Sequence, residues 1–177
     1  MNQTRRRFFR GAAAAGLAAA GWTSSAHAKV APVTMKERSF EPMPWCNIST
    51  VKQGGEVMKR VNRPNAGILV DPIHFYRADN KYEDIDNLPK GSLHYCQICD
   101  ITADKPKTMD GILYQARNYR LSPGTGAADL QLLKHLPNLP ISIEVCNADL
   151  ALTMSPLDRA RMYLEDMVAV LNKAGEF

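Results

Sequence analysis

A chain of 177 residues, 45% of them hydrophobic and 23% charged, is long enough for one domain with a real core and has an ordinary globular composition. Its net charge of +4 is no nucleic-acid signature, because Arg5, Arg6, Arg7 and Arg10 all precede the first acid, Glu37, and without them the body is neutral. No basic stripe with interleaved aromatics remains, which excludes nucleic acid as a partner.

The first segment reads as an address. "TRRRFFR" at 4–10, "GAAAAGLAAAG" and "SSAHA" give a basic start, a short apolar stretch and a small-x-small cleavage site. Thr4-Arg5-Arg6 with Phe8 and Arg10 is a twin-arginine pattern, which predicts cleavage after Ala28 and a periplasmic location. The apolar run is weaker and shorter than the about 20 residues of a spanning helix, so no stable membrane span is expected. Residues 29–38 read as a linker and 39–177 as the folded body.

The body alternates. "SFEPMPW" is short and strand-like. "STVKQGGEVMKRV" predicts a helix capped by Ser49 or Thr50, weakened by Gly54 and Gly55. "AGILVD" is a buried strand, "KYEDIDNLP" a short helix ended by Pro89, and "SLHYCQICD" a strand. Residues 101–128 read as a long loop, "ADLQLLKHL" as a helix, and "ISIEVC" as a strand. The last helix starts at the Ser155 cap with Pro156 in its first turn. Its expected apolar stripe is Leu157, Leu164, Met167, Val168 and Leu171, and Gly175 is its expected stop. Strands alternating with helices imply an α/β fold with four parallel strands and right-handed crossovers.

Each strand carries one oxygen-bearing side chain near its carboxyl end: Glu41, Asp71, Gln97 and Glu144. Alternation puts Ser142, Glu144 and Cys146 on one face, Leu69 and Asp71 on one face, and Tyr95, Gln97 and Cys99 on one face. The polar face suits the interior of a β/α barrel, where strand carboxyl ends build the active site. Three converging carboxylates would raise one another's pKa unless a cation joined them. Oxygen-dominated sets favour hard divalent ions, so Glu41, Asp71, Gln97 and Glu144 predict a site for Mn²⁺, Co²⁺ or Mg²⁺. His74 stands just beyond Asp71, facing a substrate. His94 reads as an outward, packed histidine and His135 as helix surface.

Cys46, Cys96, Cys99 and Cys146 make an even count, which an exported protein can pair. Cys96 and Cys99 are three apart on a strand and point to opposite faces, so they do not share a zinc. Free, half-buried thiols are expected; a disulfide-stapled binding module would require Cys96 or Cys99 to be oxidised.

"FEPMPW", "NRPNAGILVDPIHFYR", "LHYCQICD", "QARNYRLSPGTGAADL" and "ISIEV" together resemble the carboxyl half of the xylose isomerase-like barrel family, the sugar phosphate isomerase/epimerase group with its inosose and 3-dehydroshikimate dehydratases. The resemblance covers residues 39–174. It implies that Glu41, Asp71, Gln97 and Glu144 are metal ligands, that His74 and Arg120 contact substrate, and that Gly124 and Gly126 form the turn into the next helix. A complete barrel takes about 250 residues and eight strands, so the expectation here is a half barrel of four βα units. Its outer strands would offer open edges for self-association, with Leu69 and Met43 uncovered on the inward face.

The chemistry that the resemblance implies is proton abstraction beside a carbonyl, with a metal-stabilised enediolate and with Glu41 and Glu144 exchanging the proton. Reprotonation next door gives an isomerase or epimerase of a sugar or polyol. Loss of hydroxide gives a dehydratase acting on an inosose or a keto-acid such as 3-dehydroshikimate. A truncated, non-catalytic remnant is the reading from a different class.

Overall fold

The structure, a computed structural model, describes residues 38–174 apart from Pro137. The expected signal segment 1–28, all of the linker but its last residue, and Gly175 lie outside the described residues. Four strands, β1 (Arg38–Phe40), β2 (Ala66–Val70), β3 (Leu93–Ile98) and β4 (Ile141–Ile143), form one sheet in the order β1-β2-β3-β4. Every neighbouring pair is parallel. The helices between them are α1 (Val51–Val61), α2 (Pro72–Arg77), α3 (Tyr82–Asp86), α4 (Met109–Asn118) and the 3₁₀ helix Leu130–His135. After β4 come α5 (Ala148–Thr153) and α6 (Pro156–Ala174). Sequential parallel strands with helical crossovers make this a partial β/α barrel wall, as expected.

The sheet has one apolar and one mixed face. Ile68, Val70 and Cys96 are buried with Val51, Met58, Phe75, Ile85, Leu132 and Leu136, and Phe40 and Ile141 pack against that cluster. These strand positions alternate with Leu69, Asp71 and Gln97, so the outward face meets the helices and the inward face carries the polar residues. At about 25 cal/mol per Å² of apolar surface removed from water, this helix-facing layer is the principal stabilisation. Thr50 is the α1 cap, with a full capping box to Gln53. Among the described residues no helix is long and apolar enough to cross a membrane.

Several expectations require correction. The stretch 101–128 is not all loop, because α4 occupies Met109–Asn118, capped by Thr108. Gly111 and the polar Asp110, Gln115, Arg117 and Asn118 dilute its periodicity, and Tyr114 is exposed. A helix, α2, starts directly after Asp71 with Pro72 in its first turn. The last helix keeps its expected stripe only in part: Met167 is buried as expected, but Leu157, Leu164 and Val168 are 57%, 56% and 44% exposed, while Tyr163 and Val170 face inward. Both sets have helical spacing, and in the rotation adopted Ser122 Oγ donates to the Asp166 carboxylate.

His94 is not outward. A register irregularity between Ile68 and Leu69 leaves it as an extra residue on β3. Its ring lies over Gly67, where a Cβ would stand 2.4 Å from Nε2, and Nδ1 is 3.0 Å from Ser39 Oγ. Gly67 is thus required to let the imidazole cross the inward face. Leu69, expected to be uncovered, is buried, with His94 crossing the neighbouring Gly67 and Tyr95 as its cross-strand partner.

Candidate metal centre

Parallel register gathers the four expected ligands. Glu41, Asp71 and Glu144 each directly follow a strand end, and Gln97 lies one residue inside the end of β3. Phe40 pairs with Ile68 and Val70 with Cys96, so one step on sets Glu41 beside Leu69 and Asp71 beside Gln97. Gln97 pairs with Ser142, two residues before Glu144. All four therefore project from the inward face at the carboxyl end of the sheet.

Asp71 is fixed by local structure. As the cap of α2, its Oδ1 accepts from the Ile73 amide at 3.0 Å, and the Cys99 thiol donates to the same oxygen at 3.5 Å. Its other oxygen, Oδ2, accepts from Arg120 Nη1 at 2.5 Å. One helical turn places His74 Nε2 4.0 Å from Asp71 Oδ2 and 3.3 Å from Glu41 Oε1. Ligating atoms of Glu41, Asp71 and His74 all lie within 4.8 Å of one another.

Arg120 closes the cluster from the loop after α4. Backbone bridges Tyr119–Asn147 and Asp100–Leu121 hold its main chain, and its Nε donates to Ala116 O at 2.7 Å. Nη1 reaches Glu144 Oε2 at 2.9 Å and Glu144 O at 3.1 Å. The structure thus brings together Glu41, Asp71, His74, Arg120 and Glu144. Gln97 shares their face with its Oε1 buried and unpartnered.

The electrostatics are those of a site short of positive charge. Burial, with Asp71 and Glu144 nearby, raises the Glu41 carboxyl from 4.5 to about 7 despite Arg120. Burial also raises Glu144, opposed by Arg120 and assisted by Asp71. Burial and the Arg120 charge lower His74 from 6.5 to about 4, so its imidazole is neutral and able to ligate. Burial would lower Arg120, but Asp71, Cys99 and Glu144 raise it, and it stays a cation.

Do these residues fit a metal ion? Glu41 Oε1 and Gln97 Oε1 are buried acceptors without a hydrogen-bond donor. Burying such atoms costs free energy unless a donor or a cation meets them. Converging carboxylates, one neutral imidazole and orphaned acceptors fit a divalent cation.

Support comes from below. Asp100 accepts from the Ile101, Gly126 and Ala128 amides, which pins the "GTGAA" turn. A Cβ on Gly126 would stand 2.3 Å from Ile101 O, so that position requires glycine. Ile73, Cys99, Ile101 and Ala116 form a small apolar cluster under the site, with Trp45 and Val145 against it. All four cysteines are free, as expected, and Cys96 and Cys99 are fully buried rather than half-buried.

Three residues near the site were not assigned to it from the sequence. Cys99 and Tyr95 share the parity of Gln97, which was the available signal. Burial, then Glu41 and Glu144, raises the Tyr95 phenol. Trp45 meets the His74 ring edge-on at 5.0 Å, and no local pattern announces that contact.

A sequence profile for the xylose isomerase-like TIM barrel matches residues 25–171. An inosose isomerase of Bacillus subtilis is 31% identical over 91 residues, 51% of this chain and 31% of that protein. A 3-dehydroshikimate dehydratase of Pseudomonas aeruginosa is 27% identical over 92 residues, 51% of this chain and 14% of that protein. Among solved structures, the IolI protein with a bound zinc atom superposes with a TM-score of 0.65 at 23% identity, covering 77% of this chain and 48% of that one. A xylose isomerase domain-containing protein of Salmonella typhimurium gives 0.61 at 12% identity, covering 76% and 50%. The chain thus spans a third or less of these curated relatives and about half of these structures.

Proposed function

The chain belongs to the xylose isomerase-like TIM barrel family, and from that premise we propose that it is a divalent-metal-dependent isomerase or epimerase of a small sugar or polyol. The observation that carries this is the convergence of Glu41, Asp71 and His74 within 4.8 Å at the carboxyl ends of parallel strands. These residues, with Glu144 and Gln97, would hold Mn²⁺, Co²⁺ or Mg²⁺. The nitrogen of His74 favours Mn²⁺ or Co²⁺ over Mg²⁺. Such an ion supplies Lewis-acid polarisation of a carbonyl oxygen.

The protein's own groups do the rest. Glu41, at the carboxyl end of β1 and half-buried beside Asp71 and Glu144, is placed to take and return a proton. Glu144, also raised, is the partner carboxylate, held with Asp71 by the same Arg120 nitrogen. Arg120 uses Nε and Nη1 on protein acceptors, and among the described residues no acceptor is found for Nη2, which would be the nitrogen to meet a substrate hydroxyl or carboxylate. A polar site of this kind suits a polyol or keto-acid rather than an apolar ligand. Export through the twin-arginine route is part of the proposal and rests on Arg5, Arg6 and the Ala-rich run after them.

The test is proton wash-in. Ketoses, inososes and 3-dehydroshikimate are incubated in D₂O with the Co²⁺- or Mn²⁺-loaded protein, and exchange at the carbon beside the carbonyl is followed by NMR. Metal-dependent exchange with a rearranged product supports the isomerase reading. Exchange with loss of water moves the assignment to the dehydratases. Metal binding with no exchange on any compound leaves a non-catalytic metal-binding remnant.

A further inference from the structure

We infer that Trp45 is a positioning residue that fixes the His74 imidazole by ring packing, in place of the hydrogen bond that usually orients a metal-binding histidine. Its bearing on metal affinity rests on the proposal above; its bearing on the ring itself does not.

A ligating histidine normally donates its second ring nitrogen to a carboxylate or a carbonyl, which sets tautomer and orientation. His74 lacks that partner: Nδ1 is buried with no hydrogen bond among the described residues. Yet Nε2 is aimed between Glu41 Oε1 and Asp71 Oδ2, at 3.3 and 4.0 Å. Something else must hold the ring there. Trp45 stands against it with centroids 5.0 Å apart and planes at 89°. Edge-to-face packing of this kind is directional, because one ring presents its positive edge to the other's negative face.

Trp45 is itself anchored. It packs on the cluster of Ile73, Cys99, Ile101 and Ala116, and Ile73 is the residue before His74. Pro42 and Pro44 both precede it in "EPMPW", which limits the backbone freedom of the segment running on from Glu41. One short segment thus supplies both a ligand carboxylate, Glu41, and the wall that orients the ligand imidazole.

The test begins on the metal-free full chain. Long-range ¹H–¹⁵N NMR of the imidazoles should show His74 in one fixed tautomer in the parent and in Trp45→Phe, and averaged signals in Trp45→Ala. Trp45→Leu, which keeps apolar bulk without a flat ring, should average too, and replaces the alanine variant if that one unfolds. A fixed His74 in the alanine or leucine variant overturns the inference. Co²⁺ affinity, read by competition with a chromophoric chelator, then gives a double-mutant cycle. Trp45→Ala should weaken binding about tenfold, the scale of a lost orienting contact, and should cost nothing further in a His74→Ala background. Equal losses in both backgrounds would show that Trp45 acts independently of His74 and would overturn the inference. A parent chain with a fixed His74 that binds no Co²⁺ sinks the metal reading and leaves the role of Trp45 standing.

Discussion

Arg120 and Asp71 form a buried ion pair, Nη1 to Oδ2 at 2.5 Å, with the two side chains 6% and 0% exposed. Removing one member of such a pair leaves an uncompensated buried charge, which costs about 3–5 kcal/mol. Arg120→Met is therefore expected to lower the denaturation midpoint strongly, by urea unfolding followed with circular dichroism. Arg120→Lys keeps the charge but cannot bond Asp71, Glu144 and Ala116 O together, so it should fall between the two. A methionine variant as stable as the parent would show that the pair is not formed in solution.

Metal affinity should rank the ligands. Asp71→Ala and His74→Ala each remove an atom of the tight cluster and should weaken Co²⁺ binding by about tenfold or more. Glu144→Gln keeps its shape, loses a charge and lies outside the close group of Glu41, Asp71 and His74, so its loss should be smaller. Isothermal titration at one pH gives all three. Unchanged affinity in Glu144→Gln would remove Glu144 from the site. Full affinity in His74→Ala would return His74 to the substrate-contacting role that the family resemblance implied.

The pH dependence has a defined sign. Glu41 has a higher pKa in the folded state, so its contribution to stability is complete below 4.5 and is lost as pH rises through about 7. His74 has a lower folded pKa, so its contribution is present above 6.5 and is lost as pH falls through about 4. The metal-free protein should lose stability on both sides, and a divalent ion should restore the alkaline side, because it replaces the proton on Glu41. Melting temperatures across that range, with and without Mn²⁺, give the answer; an alkaline loss that Mn²⁺ leaves intact counts against Glu41 as a ligand.

Thiol chemistry should separate the cysteines. Cys146 is exposed and Cys46 half-buried, so both should react with a disulfide reagent in the native protein. Burial pushes the Cys96 thiol up to about 12 and raises Cys99 further from reactivity. Those two should react only after unfolding. Fast native labelling of all four would mean that the sheet core opens readily.

Much of the sheet and the placement of the carboxylates were legible because both follow from period two. "ILVD" and "ISIEV" fix which residues share a face, and parallel order then sets Asp71 level with Gln97. What was not legible depends on relations that no local pattern carries. The helix α4 is polar enough to pass for loop. On α6 two overlapping apolar stripes compete, and only packing against the rest of the fold, which buries Tyr163, Met167 and Val170, decides between them. His94 crosses the inward face because Gly67, in the next strand, leaves room for its ring. His74 comes within 4.8 Å of Glu41 and Asp71 because Asp71 caps a helix and brings residue 74 around by one turn, a closeness that no strand pattern announces.

Self-association is the last expectation. Among the described residues β1 pairs only with β2 and β4 only with β3, so each leaves one edge of backbone donors and acceptors unpaired. Both are three residues long, which limits but does not remove their capacity to pair with another chain. Beside the β4 edge, α5 and α6 expose Leu152, Leu157, Leu164 and Val168, a run of apolar side chains that water disfavours. Two copies closing a full barrel would bring two sets of Glu41, Asp71 and Glu144 into one pocket, where like charges oppose closure. Edge-to-edge and helix-face contacts carry no such penalty, so the expected product is a mixture of sizes rather than one closed dimer. Light scattering coupled to size exclusion, on the chain from Lys29, reads this directly. Leu164→Lys with Val168→Glu should shift the distribution toward monomer at unchanged helicity. A monodisperse monomer in the unmodified chain would show that the four-stranded wall protects its own edges.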